Sequence, residues 1–213
     1  MRCPLSRSAR RAISTLSIAL LLALPLALAG CGAAQFGPVG ELTLHRQTGA
    51  DEPLASRFDH GIYSFGGDNT LTIVLLQGSI EQPQRAVTMR MFWQPTAGRT
   101  PIDREATNTT IHYIRFESDA DGQPRVAVYS GAGFLYPRNT PGGATFHAGL
   151  WDATLRLTDT TDPATDPLAG PAAVRGSFSV RRDDAGVARM LRQLSVAVSH
   201  ALTYPRLVRA DTP

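Results

Sequence analysis

The sequence predicts a mainly β domain, an antiparallel two-sheet β-sandwich with one C-terminal amphipathic helix. Apolar and polar residues alternate through most of the chain after residue 38, and this period of two is typical of half-buried strands. Clusters of Gly, Pro, Asp and Asn separate the alternating segments and predict turns. A period of 3.6 residues occurs in one segment near the C-terminus. Together these observations predict a single β-rich domain over residues 39–213.

The N-terminus has the pattern of an export signal. Four arginines form a positive region, at Arg2, Arg7, Arg10 and Arg11. An apolar run rich in Leu and Ala follows over residues 13–29, and it ends immediately before Gly30 and Cys31. This order of charge, apolar run and small residues predicts that residues 1–30 are a signal peptide that is removed from the mature protein.

The segment from Leu28 to Cys31 (Leu-Ala-Gly-Cys) resembles the lipobox of bacterial lipoproteins. In that family, small residues let a peptidase reach the bond before a cysteine whose thiol has been acylated. The resemblance implies that Cys31 is the lipidated N-terminus and that its lipid anchors the protein to a membrane of the cell envelope. Gly32 stands where an Asp marks inner-membrane retention in this family, which favours the periplasmic face of the outer membrane. An uncleaved transmembrane anchor is the alternative.

Residues 31–38 form a short tether between this anchor and the first alternating segment. Seven residues follow Cys31 in the tether, and they reach at most about 25 Å when fully extended. The domain is therefore expected to lie close to the membrane.

Composition excludes several classes of chemistry and partner. The chain has 213 residues and no Lys, so it has no Schiff-base amine and no P-loop lysine. Its two cysteines are Cys3 and Cys31, which leaves the folded body without a thiol nucleophile, a disulfide or a cysteine metal site. Removal of residues 1–30 leaves 17 Arg against 18 acids, a net charge of −1. No basic footprint for nucleic acid remains.

The strands are expected in chain order where alternation or a short apolar run is clearest. The ranges are 42–44, 61–65, 71–76, 87–93, 109–117, 125–130, 145–158 and 173–181. Segment 71–76 is almost continuously apolar, which predicts a strand covered on both faces. Turns are expected at 66–69, 119–122 and 141–143, where Gly, Pro, Asp and Asn cluster.

One amphipathic helix is predicted from residue 184 to about residue 204. Its apolar stripe consists of Val187, Met190, Leu191, Leu194, Val198 and Ala201. Asp183 or Asp184 can cap the N-terminus, and Pro205 prevents further extension. A strand over residues 195–201 is the alternative, because Val196 and Val198 also alternate with small polar or apolar residues.

No metal site or other cofactor is predicted. The five histidines show none of the spacings of a metal site and lie in different predicted elements: His45, His60, His112, His147 and His200. The Asp-Ala-Asp-Gly segment at 119–122 matches the start of a calcium loop, but the twelfth position is Ser130 rather than Glu, which favours a hairpin turn. Residues 158–166, with Asp159, Asp162 and Asp166, are interpreted as a solvated loop.

No catalytic residue is predicted either. Ser130, His147 and Asp152 supply the residue types of a hydrolase triad, but the chain has no G-x-S-x-G elbow to single them out. The Gly-Ala-Gly segment at 131–133 lacks the third glycine of a nucleotide loop and is interpreted as a bulge or bend in a strand. Asn108 begins a glycosylation sequon, which is interpreted as a chance match.

The remaining feature is the connector 95–104, which follows Trp93 and contains two prolines. Its Arg99 and Arg104 are candidate binding residues because two guanidinium groups can hold an acidic group; a plain crossover loop is the favoured alternative. The sequence therefore predicts a non-catalytic envelope lipoprotein, a binding or structural module that contacts an envelope protein or a glycan. A lipid-tethered hydrolase acting on glycan or peptide is the alternative function.

Overall fold

The computed structural model describes residues 39–46, 53–94, 107–162, 168 and 170–208. Within these residues the chain forms nine strands followed by one helix. They are β1 (Gly40–Arg46), β2 (Leu54–Phe58), β3 (His60–Phe65), β4 (Leu71–Gly78), β5 (Pro83–Met91), β6 (Thr109–Ser118), β7 (Pro124–Pro137), β8 (Thr145–Thr160), β9 (Ala172–Arg182) and α1 (Asp184–Leu202).

All nine strands belong to one hydrogen-bonded sheet, in the order β2-β1-β9-β3-β4-β5-β6-β7-β8. Strand β9 also pairs with β8, so the sheet closes on itself. One edge of β9 pairs first with β1 and then, farther along the strand, with β3. The pairing with β1 extends as far as Phe178, which lies opposite Gly40, and the pairing with β3 includes Arg181. The β3–β9 contact is parallel, and the other neighbouring pairs are antiparallel.

The predicted fold class is confirmed, since the structure is mainly β and antiparallel with one C-terminal helix. Opposite walls of the closed sheet cover a common core, as the walls of a sandwich do. The pairings of β9 add a feature that the sequence did not indicate. They join the walls by backbone hydrogen bonds.

Alternate residues of the strands point inward and form the main core. Its largest fully buried side chains include Tyr63, Tyr129, Phe58 and Phe146. The rings of Tyr63 and Phe146 lie 5.6 Å apart between centroids. Leu, Ile, Val and Met side chains from β1, β4 and β5 occupy the space around them, so side chains fill the interior of the closed sheet.

Helix α1 packs against the outside of the sheet and forms a second apolar cluster. The helix contributes Val187, Met190, Leu194, Val198 and Leu202, and the sheet contributes Ile62, Val74, Leu76, Ala86, Ile114, Val126 and Val128. Strand β4 is therefore buried on both faces, as its continuous apolar run predicts. Asp183 caps the helix by accepting a hydrogen bond from the Gly186 amide at 2.8 Å. No helix among the described residues has the length and apolar character needed to cross a bilayer.

The C-terminal tail, residues 203–208, turns back at Thr203, whose φ is 63°. The Ser199 hydroxyl accepts a hydrogen bond from the Arg206 amide at 2.8 Å and donates one to the carbonyl of the same residue at 3.0 Å. The Tyr204 hydroxyl donates to Asp159 at 2.8 Å, and the Arg206 guanidinium pairs with the same carboxylate at 3.2 Å. The tail thereby joins the end of the helix to β8.

Several boundaries differ from the predicted ones. Strand β2 was not predicted, because the polar Ser56 occupies a buried, inward position and interrupts the alternation of apolar and polar residues. That serine oxygen lies 3.2 Å from the Tyr113 hydroxyl, which satisfies it within the core. Strand β8 continues to Thr160, so the start of the predicted loop 158–166 is strand, and residues 163–167 lie outside the described part. The alternative strand over 195–201 is wrong, because these residues belong to α1.

Candidate binding face

A groove of about 360 Å³ lies on the outer surface of the sheet, where the ends of β7, β8, β9 and β1 meet. Its lining is small or polar apart from two apolar residues, and consists of Val39, Gly40, Glu41, Arg138, His147, Ser177, Phe178 and Ser179. We call this groove, together with Tyr136, Gly149 and Trp151 beside it, the binding face. It is thus built from four neighbouring strands, β7, β8, β9 and β1, together with Arg138 just after β7 and Val39 just before β1.

Strand register explains why these side chains share one surface. His147 pairs with Ser179, and Gly149 pairs with Ser177, across β8 and β9. Side chains two residues apart on a strand point to the same face, and paired residues on neighbouring strands do so as well. The adjacent inward residues, such as Ala148 and Phe178, belong to the core. The polar groups are therefore arranged in rows across the outer surface.

Two exposed aromatic side chains border the groove. The side chain of Trp151 is 63% exposed, and that of Tyr136 is 44% exposed. Tyr136 pairs with Gly149 across β7 and β8, and Trp151 follows Gly149 by two residues. A Cβ atom on Gly149 would lie 3.0 Å from the indole nitrogen of Trp151. The indole therefore occupies the space above this glycine and lies along the strand.

The charges around the groove are mostly cationic among the side chains that the structure describes. Arg138 and Arg181 are exposed at the end of the groove where the β7–β8 connection lies. Glu41 is paired with Arg57 at 3.2 Å, so the charge of this acid is already compensated. This distribution favours a ligand that carries an acidic group.

The candidate triad does not assemble. Ser130 pairs with Arg156 across β7 and β8, and His147 lies nine residues before Arg156 on the same strand. At about 3.3 Å per residue, this separates Ser130 from His147 by roughly 25–30 Å. Asp152 lies in β8, but its side chain is outside the described part of the chain.

Ser130 instead contacts a histidine on the other neighbouring strand. Its Oγ lies 2.9 Å from Nδ1 of His112 and 3.0 Å from the Thr158 hydroxyl. When Thr158 donates its single proton to the Val128 carbonyl, which lies 3.1 Å away, Ser130 donates to Thr158 and accepts from His112. In that arrangement of hydrogen bonds the histidine is a donor. A general base for a serine nucleophile would have to accept that proton.

The metal and calcium candidates have structural explanations. No group of three or more ligating His, Cys, Asp or Glu side chains occurs among the residues that the structure covers. The segment 119–122 is a hairpin turn in which Gly122 has a φ of 78° and the Asp119 carboxylate accepts the amides of Asp121 and Gln123. The hydrogen bond from the Gln123 amide lowers the pKa of Asp119 below its usual range.

Other candidates hold the fold or lie outside the described residues. Asp159 binds the C-terminal tail, and Asp162 pairs with Arg125 at 2.8 Å. Asn108 is buried, and its side-chain amide exchanges hydrogen bonds of 2.7 and 2.8 Å with the backbone of Leu135, so the sequon asparagine is part of the core structure. The proposed lipidation site Cys31, the candidate binding residues Arg99 and Arg104, and Asp166 lie outside the described residues.

Sequence reasoning missed Trp151, Tyr136 and Arg138. Alternation placed Trp151 on the opposite face from Leu150, but it did not tell which part of the outer surface the helix covers. The available signal was that a large apolar residue, Trp151, stands at an outward position of the predicted strand, where a polar residue is usual. No protein-family model, no curated protein and no solved structure matches this chain.

Proposed function

We propose that this protein is a lipoprotein of the bacterial cell envelope whose β domain is a non-catalytic binding module. The observation that carries the binding role is the exposed Trp151 beside a groove that contains the hydrogen-bonding side chains of Ser177, Ser179 and His147. Large aromatic side chains that stay exposed next to convergent polar groups are typical of recognition sites. The lipobox residues Leu28 to Cys31 support the anchor, and Gly32 after them favours the periplasmic face of the outer membrane as its location.

The anchor is tested by substituting the proposed lipidation site. We expect the wild-type protein to incorporate a labelled fatty acid and to fractionate with outer-membrane vesicles, because each buried CH₂ of an acyl chain contributes about 0.8 kcal/mol to membrane binding. Cys31→Ser should abolish labelling. Cys3→Ser is the matched control and should retain it, since Cys3 lies in the removed segment. Labelling that persists in Cys31→Ser would refute the lipoprotein assignment.

A hydrolase acting on glycan or peptide is the second candidate, because Ser130 and His112 are 2.9 Å apart. The direction of their hydrogen bond argues against it, as does the distance of His147 from this pair. Cell-wall sacculi incubated with the protein should remain insoluble. Release of fragments by the wild type but not by Ser130→Ala would replace the binding role with a hydrolytic one.

A further inference from the structure

We infer that the binding face holds a carboxylate-bearing glycan strand of the cell wall, with sugar rings on Trp151 and Tyr136 and an acidic group on Arg138. The inference rests on the proposed function, because it names the partner of the same face. Three features of the face support it: the arrangement of the aromatic rings, the hydrogen-bonding side chains in the groove, and the charge at its end.

The aromatic side chains offer a surface on which rings can stack. The Trp151 indole lies along β8 over Gly149, and Tyr136 stands on β7 opposite the same glycine. Gly149 has no side chain to separate the two. The C–H faces of a pyranose ring pack on such flat aromatic surfaces, which are apolar on their faces and polar only at the indole nitrogen or the hydroxyl. An exposed Trp and Tyr side by side can therefore receive consecutive sugars.

The groove beyond these rings supplies hydrogen-bonding groups for hydroxyl and amide substituents. Ser177, Ser179 and His147 lie in it on neighbouring strands, and all are at least partly exposed. From β7 to β1 the face crosses three strand spacings, or about 14 Å. A groove of this length fits an oligosaccharide segment better than a single sugar.

The charge at the end of the groove selects an acidic glycan. The guanidinium of Arg138 can form two parallel hydrogen bonds to a carboxylate, and Arg181 adds positive charge on the same surface. Glu41 on the opposite side is compensated by Arg57. A neutral glycan would leave the arginines without an anionic partner.

An anionic bilayer is the other surface to consider, because Trp, Tyr and Arg also occur at membrane interfaces. Insertion into lipid requires aromatic side chains that project outward. The Trp151 indole instead lies along the strand, and the groove beside it is lined in part by Ser177 and Ser179. This shape suits a chain that lies in the groove rather than a surface that is penetrated.

The test is co-sedimentation of the full-length protein, in mild detergent, with purified cell-wall sacculi. The wild type should sediment, and Trp151→Ala and Arg138→Gln should each weaken binding by about tenfold or more. Gly149→Ala should also weaken it while keeping the tryptophan, because the new methyl group displaces the indole. The matched controls are Val196→Ala, at a 70% exposed position of α1, and Arg192→Gln; both should stay within about twofold of the wild type.

Competition distinguishes the occupants, and melting temperatures verify that each variant is folded. Free glycan fragments should displace the protein from sacculi, whereas mixed micelles of anionic phospholipid should not. Displacement by the lipid alone, or unchanged binding in every one of the variants Trp151→Ala and Arg138→Gln that folds, would overturn the glycan assignment. Arg138 is exposed, so its variant remains decisive even if Trp151→Ala fails to fold. A wild type that is lipidated at Cys31 but does not sediment refutes only this inference, and the proposed function then stands.

Discussion

Two glycines set how closely β7 approaches β8. A Cβ atom on Gly131 would lie 1.8 Å from the Thr154 carbonyl oxygen, and one on Gly133 would lie 2.4 Å from the Ala153 Cβ. The register shifts at this point, between Ala132 and Phe134. The bulge predicted from the Gly-Ala-Gly segment is thus confirmed, and the two glycines permit the close contact between the strands on either side of it.

Gly131→Ala should destabilise the fold by about 3 kcal/mol, because the backbone of Thr154 must move to admit the methyl group. Chemical denaturation of the purified protein measures the effect. Gly67→Ala is the matched control, since its Cβ would meet no atom within 4 Å. Equal stabilities for the two variants would contradict the close approach of β7 and β8.

Single residues also show where sequence reasoning stopped. The types of Ser130, His147 and Asp152 matched a triad, but a residue type carries no information about register, and the strands place Ser130 beside His112 instead. In the same way, Trp151 is inconspicuous in the sequence, and its role follows from its exposure and its position over Gly149.

At the scale of elements, the helix was predicted almost completely. A stripe with a period of 3.6 residues, an aspartate before it and a proline after it fixed its limits, and α1 follows them closely. Strand β2 was missed because only Phe58 and Ser56 of its five residues point into the core. A short strand with a polar residue at an inward position has too little alternation to be recognised.

Leu194→Ala should cost about 2–5 kcal/mol, because this side chain is buried at the centre of the contact between α1 and the sheet. Leu191 is only partly buried, so Leu191→Ala should cost less. Arg192→Ala changes an exposed side chain on the same helix and should cost under about 0.5 kcal/mol. Urea denaturation with a common slope would measure all three, and equal losses for Leu194→Ala and Arg192→Ala would contradict the observed packing.

The C-terminal tail should respond to alkaline pH. The hydrogen bond from Tyr204 to the Asp159 carboxylate raises the pKa of the phenol above its ordinary value of about 10. A raised pKa means that the contact stabilises the fold below pH 10 and that this contribution is lost as the pH rises through the folded pKa. The ultraviolet absorbance of the tyrosines can be titrated in the wild type and in Tyr204→Phe. The difference between the two curves reports Tyr204 and should have its midpoint above pH 10. A midpoint at or below 10 would exclude the hydrogen bond in solution.

At the scale of the whole molecule, the fold class followed from patterning, but the closure of the sheet did not. Alternation tells which face of a strand is buried and not which strand lies beside it. The joining of the walls depends on β9, whose edges meet β8 on one side and β1 and then β3 on the other. The groove of the binding face forms at the β8–β9–β1 junction, so it could not be predicted before closure was known.

The folded protein should depend on neither a metal nor a disulfide. Its cysteines are at positions 3 and 31, and apolar side chains fill the core and the contact with the helix. Melting temperatures with and without a chelator, and with and without a reductant, should therefore agree. A fall of many degrees with the chelator, reversed by adding a divalent metal, would show that a metal site contributes to stability.

The position of β9 in the chain also sets an order in time. If the protein is exported with its N-terminus first, β1 emerges early and can pair only with β2. The other edge of β1 remains unpaired until β9, the last strand, emerges. Until β9 arrives, the open edges of β1 and β8 can join strands of other chains. We therefore expect the sheet to close only after nearly the whole chain has crossed the membrane, and the interval before closure to be the period in which the newly exported protein is most prone to aggregation.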